Sequence, residues 1–142
     1  MFQDDLRIGE ELELRILKKI QRRYPQAKKI EGYFKGYDIF IPELQVRIEV
    51  KRDIKSQETG NYVIETEFGG KPSALSTTEA DYWVFWDGEC EIWTTPWRIR
   101  EAIKGLPLRE FIGKGDTKMK KAYLCPKERI KKNAEFVYEI HS

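Results

Sequence analysis

Asp38, Glu49 and Lys51 are the residues of this 142-residue chain whose types and spacing best suit chemistry at a hard cation. Along Gln45-Val46-Arg47-Ile48-Glu49-Val50-Lys51, period-two alternation sets Val46, Ile48 and Val50 on one face of a strand and Gln45, Arg47, Glu49 and Lys51 on the other. A tight connection around Pro42-Glu43 pairs this strand with Tyr37-Asp38-Ile39-Phe40-Ile41 and brings Asp38 opposite Glu49, with β-carbons about 4.5–5.5 Å apart. Two carboxylates held there repel each other. A divalent ion between them reverses the sign, because carboxylate oxygens are what Mg²⁺ or Mn²⁺ takes. Lys51 projects to the same edge. The plainer reading is a solvated strand face on which Lys51 bridges to Asp38, worth at most about 1 kcal/mol.

A third carboxylate comes from the segment before them. Over residues 4–24 the apolar side chains Leu6, Ile16, Leu17, Ile20 and Tyr24 recur at helical spacing, and Pro25 ends the run. On that wheel Glu13 lies within about 60° of every one of them, so a carboxylate occupies the apolar face. Gly9, one turn earlier, leaves room for close approach. A buried charge needs a cation, a donor or a wet cleft beside it; alternatively, the helix is rotated slightly and Glu13 sits at the stripe's edge, paired with a lysine.

The elements that must carry these residues form one α/β domain over residues 1–142. Residues 29–33, 37–41 and 45–51 read as an antiparallel meander, residues 62–65 as a further strand and residues 73–79 as a short helix. Residues 82–86 and 90–93 form a hairpin across Asp87-Gly88, and Pro96 opens a helix over residues 97–104. Hydrophobic residues are 40% of the chain and aromatics 13%, enough for a core.

Several chemistries are excluded by what is missing. The single histidine, His141, is one residue from the end of the chain, which argues against Ser-His or Cys-His nucleophiles. Cys90 and Cys125 form no C-x-x-C pair, so no zinc centre is expected. Gly69-Gly70 and Gly113-Lys114-Gly115 lack the spacing of phosphate-binding loops, so no nucleotide cofactor is expected. The N-terminus has no basic-then-apolar signal and no apolar run spans a bilayer, which predicts a cytoplasmic protein with no membrane partner.

Gly9-x3-Glu13, then Gly36-Tyr37-Asp38, then Glu49-Val50-Lys51 resemble the core of the PD-(D/E)XK nuclease superfamily, and within it most resemble the archaeal Holliday-junction resolvases. The resemblance covers residues 9–52. Thr59-Gly60-Asn61-Tyr62-Val63-Ile64-Glu65, Gly70-Lys71-Pro72-Ser73 and Ala80-Asp81-Tyr82-Trp83 are similar to small phage and prophage nucleases of that fold. Tyr37 stands where the family more often has proline. The resemblance implies a restriction-endonuclease-like core, a mixed β-sheet whose central antiparallel hairpin is flanked by helices. It implies a Mg²⁺-dependent DNA endonuclease in which Asp38, Glu49 and the Val50 carbonyl hold the ion, with Mn²⁺ able to substitute. In that scheme Glu13 joins through water or helps hold a second ion, and Lys51 stabilises the transition state. A homodimer would let a resolvase cut two strands symmetrically. The alternatives are a non-catalytic DNA-binding or assembly module that keeps the fold, and a nuclease acting on RNA.

The net charge is only +2, but residues 113–132 hold eight Lys/Arg against two acids, a local +6. Lys118, Lys120, Lys121, Lys127, Arg129, Lys131 and Lys132 form either a phosphate-binding surface, joined by Arg52 and Lys55, or a solvated face. Ser56, Thr59 and Asn61 suit hydrogen bonds to phosphate oxygens and equally suit turns. Trp83, Trp86, Trp93 and Trp97 serve either core or dimer packing or base stacking.

Overall fold

A computed structural model describes residues 2–32, 36–113 and 115–140. Tyr33, at the end of the first expected strand, Lys114 and His141 lie outside the described residues, as does the Leu6 side chain. Helix α1 (Phe2–Gln21) is followed by β1 (Lys28–Lys29), β2 (Ile39–Ile41) and β3 (Val46–Arg52). The short helix α2 (Ser56–Thr59) leads into β4 (Asn61–Phe68), β5 (Lys71–Pro72) and a single 3-10 turn at Ala74–Ser76. Then come β6 (Tyr82–Trp86), β7 (Cys90–Thr94), α3 (Pro96–Ala102), β8 (Arg109–Phe111), β9 (Lys120–Pro126), α4 (Lys127–Lys132) and β10 (Phe136–Glu139).

The first sheet has the order β1-β2-β3-β6-β7-β10 and is mixed, since β3 and β6 run parallel while the other neighbours are antiparallel. Alternation decides its two faces. Ile39, Ile41 and Ile48 pack with Val84 against Leu12, Ile16, Leu17 and Ile20 of α1. Trp83, Phe85 and Ile92 point the other way, into a second cluster. That cluster is closed by a second, wholly antiparallel sheet in the order β5-β4-β9-β8, through Tyr62, Ile64 and Cys125. The Tyr62 and Phe85 rings stack across the gap, centroids 4.6 Å apart.

The mixed sheet and its β2–β3 hairpin are those the sequence predicts. The flanking layers are so only in part: α1 covers one face, and Ile99 and Ala102 of α3 with Ile130 of α4 pack on the other, but there the second sheet joins them. The reason lies in residues 61–68, where Tyr62 and Ile64 are buried on one side of an eight-residue strand and make it the wall of a sandwich. The helix expected over residues 73–79 is reduced to one 3-10 turn because its hydroxyls bond elsewhere. Ser73 Oγ donates to Glu65, Ser76 Oγ donates to the Thr66 carbonyl, and Thr78 Oγ1 accepts from the Ala80 N–H. Helix α3 starts as read, with Pro96 in its first turn and Thr95 Oγ1 accepting from the Arg98 N–H.

The β6–β7 turn passes through Gly88 at φ +90°, and a β-carbon there would lie 2.6 Å from Gln57 Nε2 and 3.3 Å from Ile54 Cδ1. Gly88→Ala should therefore lower the free energy of unfolding by about 1–3 kcal/mol in urea titration. An unchanged midpoint would show that the turn relaxes freely.

Candidate functional site

The β2–β3 ladder ends at Ile39–Ile48, and Asp38, the next residue, lies just beyond that end, beside the strand that carries Glu49, where the alternation predicts the two carboxylates directly opposed. Asp38 is 5% exposed and held by its own backbone: its N–H donates to the Ile48 carbonyl and its carbonyl accepts from the Ile30 N–H, both at 2.8 Å. Its Oδ2 accepts from the Val50 N–H at 2.8 Å, which aims the carboxylate at the strand that bears Glu49. Ile48 faces α1, so Glu49 and Lys51 face the second sheet. The Lys51 ammonium lies 5.1 Å from the Trp83 ring centroid, on that same side. Among the described residues it has no ion-pair partner.

Glu13 belongs to the other side of the sheet. With Leu12 set at zero on α1, Ile16, Ile20 and Leu17 follow at about 40°, 80° and 140°, and Glu13 at about 100° falls inside that arc. It is half-buried there, and like Asp38 and Glu49 it is engaged with a neighbour. Among the described residues, no three Asp, Glu, His or Cys side chains are gathered closely enough to hold a metal ion. Of the three expected carboxylates, Asp38 and Glu49 lie by adjacent strands of one sheet, with Val50 between Glu49 and Lys51, and Glu13 lies on the helix across that sheet.

The residues expected to meet phosphate divide into several kinds. Arg52 and Lys55 are exposed; Lys55, with Thr59 and Asn61, lines a hollow of about 650 Å³ that Arg109 and Phe111 also border. Ser56 is a correction: it is 2% exposed and its hydroxyl donates to the Asp53 carbonyl at 2.6 Å, so it holds the turn into α2 and cannot face a ligand. Thr59 Oγ1 is occupied by its own turn, accepting from the Asn61 N–H at 3.1 Å and donating to the Asn61 carbonyl. Lys118 is exposed.

The basic run 118–132 does not form one free surface, because tertiary partners take most of its charges. Lys120 faces Glu65 and Asp116, and Lys121, on the opposite face of β9, pairs with Glu67 and Glu110. Arg129 Nη1 donates to the Ala102 and Lys104 carbonyls, capping the end of α3. Lys127 bonds the carboxylate of Asp87, which is fully buried. Of the tryptophans, Trp83 is core, Trp86 and Trp93 are half-buried and Trp97 is exposed.

Asp87 reads from the sequence only as a turn residue, and the structure makes it the polar centre of the molecule. Its Oδ1 accepts the Glu89 and Cys90 N–H groups, and its Oδ2 accepts the Tyr62 hydroxyl at 2.8 Å and pairs with Lys127. Burial alone would push its carboxyl up. Lys127 and these donors outweigh that and leave it below its ordinary value of 3.8. Asp53 behaves oppositely: burial raises its carboxyl, only partly offset by the Val63 N–H on its Oδ2.

The described residues contain no helix long and apolar enough to cross a membrane. Compared with protein-family models, curated proteins and solved structures, the chain matches none.

Proposed function

We propose that this protein is a Mg²⁺-dependent nuclease that hydrolyses phosphodiester bonds of DNA, with Asp38, Glu49 and Lys51 at its centre. The observation that carries the reading is the Val50 N–H bond to the Asp38 carboxylate, which holds Asp38 at the end of the β2–β3 ladder against the strand that bears Glu49 and Lys51. The run of α1, an antiparallel hairpin and a parallel third neighbour, β6, supports the restriction-endonuclease-like core that the motifs suggest. Asp38 and Glu49 would hold the ion, which supplies charge neutralisation at the phosphate and a more acidic water. The Val50 N–H fixes the Asp38 carboxylate before any ligand arrives, so little reorganisation is left to the reaction. Lys51, desolvated on one side by the Trp83 ring, offers a positive charge to the phosphate oxygens. No histidine is needed.

The test is a panel of single-stranded, duplex, flap and four-way-junction DNA, with RNA equivalents, incubated with Mg²⁺, Mn²⁺ or EDTA. Cleavage in either metal and none in EDTA is expected, and the preferred substrate then decides between a resolvase and a general nuclease. Retention of DNA without cleavage under any condition would move the protein to the non-catalytic binding module instead.

A further inference from the structure

The two sheets leave between them a cavity of about 190 Å³, lined by Lys51, Trp83 and Phe85 from the first sheet and by Glu65 and Lys120 from the second. We propose that Lys120 is a second phosphate-contacting cation of the site, so that one phosphodiester group is held between the ammonium of Lys51 on β3 and that of Lys120 on β9. This rests on the nuclease reading and adds to it a half-site carried by a different sheet.

Three features of the structure support it. First, Lys120 is bracketed by carboxylates without being locked. It lies 3.5 Å from Glu65 and 3.3 Å from Asp116, beyond the roughly 2.7–2.9 Å of a tight charge-assisted bond. By contrast, Lys19 reaches Glu91 at 2.8 Å. A phosphate oxygen entering the cavity can therefore draw Lys120 from Glu65 at little cost, and Glu65 keeps the Ser73 hydroxyl at 2.8 Å. Secondly, alternation along β4 and β9 sets Glu65 and Lys120 on one face of the second sheet, the face opposite Tyr62, Ile64 and Cys125. Glu65 and Lys120 share that face and both line the cavity, while Lys121 on the other face of β9 pairs with Glu67. Thirdly, the loop before β9 is shaped around this group: a β-carbon at Gly113 would lie 2.5 Å from Asp116 Oδ2 and 3.2 Å from Lys120 Nζ. Lys51, without an ion pair among the described residues, supplies the other charge an anion needs.

The experiment has a metal-free arm and a cleavage arm. In EDTA, the Tm of each protein is compared between inorganic phosphate and chloride at equal ionic strength, so that any change in intrinsic stability cancels. Wild type and Lys121→Met should be stabilised by phosphate, whereas Lys51→Met and Lys120→Met should each lose the response; Lys120→Gln is the reserve if the methionine variant does not fold. In Mg²⁺, Lys120→Met should lower kcat/KM about tenfold or more without moving the Mg²⁺ concentration at half-activity. A wild type indifferent to phosphate, or Lys120 variants that keep the response, would overturn the inference. Cleavage by wild type and the Lys120 variants alike would do the same and leave the nuclease reading standing. A phosphate response that needs both lysines, in a protein that cuts nothing, would uphold the anion site and sink the nuclease reading.

Discussion

Asp38→Asn should reduce Mg²⁺-supported cleavage by about 10²–10³-fold while leaving the fold and DNA retention intact. Asparagine keeps a side-chain oxygen to accept from the Val50 N–H, so the 2.8 Å bond that orients the group survives and only the charge is lost. Asp38→Ala removes the acceptor as well, leaving a strand N–H without its partner. It should therefore cost about 1–3 kcal/mol of stability in addition to activity. Comparing the two variants separates a role in holding a cation from a role in holding β3. Lys51→Met, which keeps the aliphatic stem against Trp83, should lose activity to a similar extent with little change in Tm. Full activity in Asp38→Asn and Lys51→Met, assayed on the preferred substrate of the wild type, would remove the assignment of the site.

The largest effect on stability is expected at Asp87. Asp87→Ala strands a lysine that is only 14% exposed, removes the acceptor of the Tyr62 hydroxyl and frees two turn N–H groups. A loss of about 3–5 kcal/mol follows, or a Tm lower by about 10–15 °C for a chain of this size. The same pair sets the pH limits of the fold. The Asp87 carboxyl is depressed in the folded state, so its contribution is present above 3.8 and is lost as pH falls through the still lower folded value. Burial pulls Lys127 down, but pairing with Asp87 outweighs this and raises it; its contribution is present below 10.5 and is lost as pH rises above that value. Asp53 works against Asp87 on the acid side: its raised carboxyl penalises the ionised form, and that penalty is relieved on acidification. Urea unfolding at several pH values should therefore show an acid loss that is shallower in Asp87→Asn than in wild type. Equal slopes would mean that other carboxylates dominate.

Much of the first sheet was legible because its signals are local. Alternation of Ile39 and Ile41 with Asp38 and Phe40, a turn at Pro42-Glu43, and alternation again over residues 46–51 leave one register that buries every isoleucine. That register brings Asp38 to the end of the ladder, next to the strand that bears Glu49. The second sheet was not legible. Residues 109–111 and 120–126 are rich in charge, the second of them pairs with a strand tens of residues earlier, and a charge run looks the same whether water or a carboxylate faces it. Lys120, Lys121 and Lys127 were indistinguishable as residues of one basic segment, yet one lines a cavity, one pairs with Glu67 and Glu110 and one with a buried aspartate. Ser56 failed for the opposite reason: a hydroxyl in a turn does not declare whether it points outward or back to its own backbone.

By itself, then, the order of residues determined the amphipathic first helix and the β2–β3 hairpin, because side-chain period and turn length act within a few residues. Only the tertiary structure decided which layers cover the second face, that Glu65 and Lys120 line one cavity with Lys51, and that Asp87 is the buried polar anchor of the core. Those outcomes depend on which distant surfaces exclude water together, and no local pattern encodes that choice.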